Sequence, residues 1–487
     1  MRILEIMVYR WFVITSFFLC LFYAIIFEPV GIENQGDQET YLQMAFDFNE
    51  GIGVSSMQTH RSPLYPLILS CILSISGPIN LLDFIVFFQF ILVFISSLIV
   101  FHIFKRIIKD LWWVFGIGIL FLLSFSTLSF AYTIVSEILT IFLFLLSALL
   151  NLLYFEKSKP IFLIFAGTIL GLAILARFNL LVLPIFIVFS ILCHQLLIAH
   201  EKKLSFLISN CLIYVGSVLF VLNLWCMYNV EQHGSYFLFP KSHMGKRFTA
   251  MALVKDGQDM PVEYRKAHNI ILKAKNDFLL AETNSKMRKS SLFNMLGEDR
   301  RMHYIELTMG YRLFMKVADT LFVIYNINPQ LPDAQDQLAS KMRGYYNILE
   351  KQSPNTLLEL RLFSLLNSFK YSSSGDSQYH RKNLAKLPSA VILSYKFLFL
   401  LISGAFIILS LVFIVRVIIR KTYRENFIVL FLLLLVSYFP AINFMAVTYS
   451  DASRFKFPAE PLIFGLLFYY FYLFIWVKRK RFNIQQQ

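Results

Sequence analysis

Apolar residues in this chain come in long unbroken runs, and polar residues gather between them. Ten runs read as membrane helices, at about 11–27, 80–104, 112–131, 134–154, 161–176, 179–199, 204–226, 389–415, 426–446 and 461–477. The stretch 111–154 is almost wholly apolar. A helix advances about 1.5 Å per residue and the hydrocarbon core is about 30 Å thick, so this stretch must fold as a hairpin of two spans. The same holds for 161–199. By contrast, the run PLYPLILSCILSISG at 63–77 is short and carries two prolines, which predicts an interfacial helix and not a span. Nowhere does the pattern alternate with the period of two that a membrane β-barrel requires. The pattern therefore predicts an all-α polytopic membrane protein.

Charge orients the spans. Clusters at Lys105, Arg106 and Lys109, at Lys157 and Lys159, at Lys202 and Lys203, at Arg416, Arg420, Lys421 and Arg424, and at Lys478, Arg479, Lys480 and Arg481 punctuate the apolar runs. Ten spans put all of them, with Arg2 and Arg10, on one side, the cytoplasm by the positive-inside rule. Both termini then lie inside. The N-terminal run lacks a small-residue cleavage site and reads as an uncleaved first span. Two loops face outward, 28–79 and the polar 227–388, dividing the chain into an N-terminal membrane module 1–226, a large extracytoplasmic loop 227–388 and C-terminal spans 389–487. The formal net charge of +15 sits largely in these clusters and the outer loop, so it does not argue for nucleic acid. Five cysteines lie in or beside apolar runs, with neither metal spacing nor a disulfide framework, and the nine histidines show no metal spacing.

The topology gathers ionisable residues on the outer face: Asp37, Glu39 and Arg61 in the first loop, Glu137 and Arg177 at two hairpin tips, and Asp451, Arg454 and Lys456 before the last span. Charges near the apolar layer are costly and usually functional. From Gln38 to about Asn49, Tyr41, Met44, Ala45 and Phe48 recur at helical spacing, and Gly51 and Gly53 supply a stop. Asp37, directly before this helix, fits either an N-cap or a catalytic carboxylate. Glu137 fits a helix start favoured by the dipole or a functional acid. Arg177, flanked by apolar residues, fits anion binding better than snorkelling, and Arg454 fits either a pair with Asp451 or an anion contact. No Gly-rich phosphate loop or dinucleotide fingerprint is present. A transferred group would instead arrive on a lipid carrier from the membrane, its phosphate meeting Arg61, Arg177 and Arg454.

Four stretches resemble GT-C membrane glycosyltransferases, typified by the protein O-mannosyltransferases and the lipid A aminoarabinose transferases. GDQETYLQMAFDFNEGIGV with HRSPLYPLILS resembles their first outer loop, matching at Asp37, Tyr41, Gly51, Gly53, Arg61, Pro63 and Leu64. VSEILTIFLFLLSALL resembles their acidic hairpin tip, GLAILARFNLLVLP their arginine-bearing tip, and SRFKFPAEPLIF the start of a late span. The chain departs from the pattern at Gln38, where a second acidic residue is common, at Glu39, one place late, and at Ser62, in place of a proline. Loop 227–388 has no matching feature.

The resemblance implies a GT-C-like bundle of about 10 transmembrane helices (roughly 9–13) with outer juxtamembrane helices and a large extracytoplasmic loop. It implies inverting transfer of a sugar from a polyprenyl-phosphate donor to a lipid, polysaccharide or protein acceptor. Asp37 would be general base, Arg61, Arg177 and Arg454 would hold the donor phosphate, Tyr41 and Glu39 would orient substrate, and Glu137 would orient it or tie down an arginine. No cofactor and no metal site is expected, although some GT-C relatives use a divalent metal. The expected location is the bacterial inner membrane, with the site facing the periplasm and membrane lipids as surroundings. A lipid or glycan flippase, and an O-antigen ligase or polymerase with a diphosphate-linked donor, are the rival readings.

Overall fold

The computed structural model describes residues 2–26, 37–52, 61–199, 203–238, 244–284, 309–329, 334–368, 389–446 and 456–485. All regular structure among the described residues is helical. Among the described residues eight helices are long and apolar enough to cross a membrane, so this is an integral membrane protein. They include α1 (Arg2–Ile26), α4 (Leu81–Phe104), α7 (Glu137–Lys157), α10 (Leu204–His233), α16 (Ser389–Arg420), α17 (Phe427–Ala446) and α18 (Glu460–Gln485). The remaining span joins a short turn to α9 (Leu183–Cys193) and to a wide helical turn, His194–Ile198. Helix α8 (Pro160–Ala176), at 17 residues, falls just short of that length.

One expected span is not a single rod. The run 112–131 is split into α5 (Leu111–Leu122) and α6 (Phe125–Ala131), bent by 47°. Ser124 leaves the helical region (φ −64°, ψ 125°) within a hydroxyl-rich segment that includes Ser126, Thr127 and Ser129. Such side chains compete with the helical hydrogen-bond ladder. The carbonyls freed beyond α6 are recovered by the buried Gln89 of α4, whose Nε2 donates to Ala131 O at 3.1 Å and to Thr133 O at 3.0 Å. In a membrane each such group must find a protein partner.

Close packing fixes the arrangement of the spans. Gly167 and Gly171, one turn apart on α8, press against α10. A Cβ on Gly167 would lie 2.6 Å from the Tyr214 carbonyl oxygen, and one on Gly171 would lie 2.8 Å from Val221 Cβ. This is the small-xxx-small contact that lets membrane helices approach closely. At the opposite end of α7 and α4 from their first residues, Arg106 Nε pairs with Glu156 at 2.7 Å, joining two hairpin bases.

Two short helices, α2 (Asp37–Asn49) and α3 (Leu64–Ser76), lie against each other and against the bundle. Helix α2 buries Tyr41, Leu42, Met44 and Ala45, and Gly51 beyond it adopts φ 69°, as the stop required. A second hydrophobic core belongs to α11 (Met244–Leu253), α12 (Val262–Asn284), α13 (Gly310–Ile324), α14 (Ala334–Gln352) and α15 (Pro354–Asn367). Met251, Leu313, Leu321, Met342 and Tyr345 fill it. Buried Lys275 donates to the Val254 carbonyl at 2.6 Å, closing the chain just past α11.

Candidate functional site

The site is assembled where helices begin or end. Asp37 is the first residue of α2. Arg61 lies just ahead of α3, and Ser62 beside it accepts a hydrogen bond from Phe178 N at 3.1 Å. That bond ties the first loop to the turn after α8. Arg177 ends α8 in an extended conformation (φ −159°, ψ 110°), which turns its side chain out of the helical ladder. Glu137 is the first residue of α7 and is completely buried.

Two ion pairs result. Arg61 Nη2 lies 2.5 Å from Asp37 Oδ1, with the two side chains 29% and 21% exposed. Arg177 Nη1 lies 2.6 Å from Glu137 Oε1, with exposures of 11% and 0%. Tyr41 stands between them. Its phenol is 3.4 Å from Ser136 Oγ, the residue before Glu137, and its ring meets Tyr65 edge-on at 5.4 Å. Burial, and then the Asp37 carboxylate, raise the Tyr41 phenol above its ordinary pKa, with Arg61 opposing and Glu137 adding to the rise. The Tyr41–Ser136 contact sets α2 against the start of α7, and the Ser62–Phe178 bond sets the first loop against the end of α8, so the two pairs are neighbours.

The arrangement alternates acid and base. Each guanidinium holds a carboxylate through a charge-assisted contact, and the same donors can grip two oxygens of a phosphate group. Of the other expected site residues, Glu39 is exposed on α2, away from the buried Tyr41 face. Arg454, Asp451 and Gly53 lie outside the described residues. Among the described residues no group of three or more His, Cys, Asp or Glu side chains is placed to hold a metal ion.

Sequence reasoning passed over several interacting residues. Ser62 registered only as a departure from a proline, yet it fastens the loop to α8. Ser136 and Tyr65 line Tyr41. Glu460 was unremarked between two prolines, but its Oε1 is 3.3 Å from Lys456 Nζ, and both side chains are buried. Lys456 also sits 4.3 Å from the Phe399 ring centroid. The i, i+4 spacing of an acid and a base at a helix start was the available signal.

No protein-family model matches this chain, and no curated protein sequence matches it. Among solved structures, the Archaeoglobus fulgidus oligosaccharyltransferase in its apo form is similar, with a TM-score of 0.48 and 11% sequence identity. The match covers 94% of this chain and 49% of that one, so this chain spans about half the length of that protein.

Proposed function

We propose that this protein is a GT-C-type glycosyltransferase that moves a sugar from a polyprenyl-phosphate donor to an acceptor at the outer face of the membrane. The observation that carries the reading is the Asp37–Arg61 pair beside the Glu137–Arg177 pair, at the edge of a membrane bundle. The donor enters sideways from lipid, and its phosphate draws Arg61 away from Asp37. The freed Asp37 carboxylate takes the proton of the acceptor hydroxyl as that oxygen attacks the anomeric carbon. The bond from that carbon to the phosphate oxygen breaks on the opposite side, through an oxocarbenium-like state, so configuration inverts. Charge grows on the leaving phosphate, where Arg61 and Arg177 stabilise it. Glu137 holds Arg177 in place, and Tyr41 orients the sugar. Arg454 remains a third candidate for the phosphate.

The test uses purified full-length protein in detergent with polyprenyl-phosphate sugars and candidate lipid, glycan and peptide acceptors. Formation of glycosylated acceptor with release of polyprenyl phosphate is expected without any membrane gradient, and Asp37→Asn is expected to abolish it. Activity that needs a sealed bilayer and only relocates the donor would favour a flippase. A donor consumed only as its diphosphate would favour the ligase reading. An arm with chelator measures metal dependence.

A further inference from the structure

Helix α15 is amphipathic in the opposite sense from a helix in water. Leu360, Ser364 and Ser368, at four-residue spacing, are each 0% exposed. Leu358, Leu362 and Leu366, at the same spacing on the other face, are 51%, 46% and 66% exposed. A water-facing helix turns its leucines inward and its serines outward.

The buried serines face a membrane span. Helix α15 packs along α17, and Asn443 Nδ2 donates to Ser368 Oγ at 2.7 Å. Asn443 is 1% exposed and lies three residues before the end of α17, close to the rim of the span. Small residues let the two helices approach, and the hydroxyl satisfies a carboxamide that would be costly in an apolar layer. Met445, just beyond Asn443, is 71% exposed, so the surface beside this contact is apolar as well. Arg361 lies at the edge of this face beside the buried serines, and its Nε is buried. A face of exposed leucines held at the end of a membrane span matches a helix lying in the interface, with the leucines toward the apolar layer.

We propose that α15 lies in the membrane interface at the end of α17, with Leu358, Leu362 and Leu366 among lipid acyl chains. It anchors the helical module α11–α15, whose core includes Leu360, directly to the bilayer.

The test places single spin labels in full-length protein in nanodiscs, with the five native cysteines replaced by serine. Leu358→Cys, Leu362→Cys and Leu366→Cys are compared with Lys266→Cys, an exposed position on α12 of the same module. Collisions with oxygen are expected to exceed those with a water-soluble nickel chelate at the three leucine positions, by several-fold relative to Lys266. Chelate access equal to that at Lys266 would show a water-facing helix and overturn the proposal. Low access to both reagents would show a protein contact, such as a second copy, and overturn it equally. In the unaltered protein, a lipid with a photoreactive group on its acyl chain is expected to label the peptide spanning 354–367. Absence of label there, with the spans labelled, would also refute it.

Discussion

The two ion pairs of the site have the same chemistry and opposite surroundings. Asp37–Arg61 sits at the rim, with each partner more than a fifth exposed, whereas Glu137–Arg177 forms the floor, with the acid sealed from solvent. A partly exposed pair contributes about 0–1 kcal/mol, because water screens it and solvates either partner once parted. Parting a buried pair strands a charge and costs about 3–5 kcal/mol. The rim pair is therefore suited to exchange partners during a reaction cycle, and the floor pair to hold its shape throughout. In the proposed function this assigns proton transfer to Asp37 and the positioning of an arginine to Glu137.

The strongest way to break this comparison is Asp37→Asn. Transfer should fall by about 10²–10⁴-fold, the usual contribution of a general base, while thermal stability moves by less than about 1 kcal/mol. Wild-type turnover in that variant would remove Asp37 from the chemistry. Next comes Glu137→Ala, which leaves Arg177 buried beside no carboxylate and should cost about 3–5 kcal/mol in thermal unfolding. The double variant Glu137→Leu with Arg177→Met should recover most of that stability without recovering activity. If the single variant were as stable as wild type, the floor would not be dry. A smaller effect is expected from Gly171→Val, which forces α8 from α10 and shifts Arg177 at the end of α8. Overpacking of this kind costs about 1–3 kcal/mol and should lower donor use in parallel. Arg61→Gln should raise the donor KM roughly tenfold, about 1.4 kcal/mol, and leave melting almost unchanged. Tyr41→Phe is expected to have the smallest effect, since its hydroxyl contact is 3.4 Å long and a hydrogen bond of ordinary length contributes only about 1 kcal/mol. A large loss of activity there would make Tyr41 a direct participant.

Much of the scaffold could be read in advance. The helix around Tyr41, Met44 and Ala45 was expected from Gln38 to Asn49 and runs from Asp37 to Asn49. The short helix after Pro63 and the starts of α7 and the last span also lie close to their expected places. Hydropathy missed the bend at Ser124, because a broken apolar helix is as apolar as a straight one. The spacing of Gly167 and Gly171 is written in the chain, yet the helix they approach is not. Arg177 was read as a contact for an outside anion and Glu137 as a residue that could tie down an arginine, and which arginine it meets was visible only in the structure, where Arg177 pairs with Glu137.

The sequence by itself determined where apolar helices form and which loops carry charge. Lipid accepts only segments that satisfy their own backbone hydrogen bonds, so length and apolarity suffice to mark them. Only the tertiary structure decided which acid meets which base and which of those pairs stays wet. Pairing depends on how helices far apart in the chain are packed, and burial depends on what covers them, neither of which is a property of any local stretch of residues.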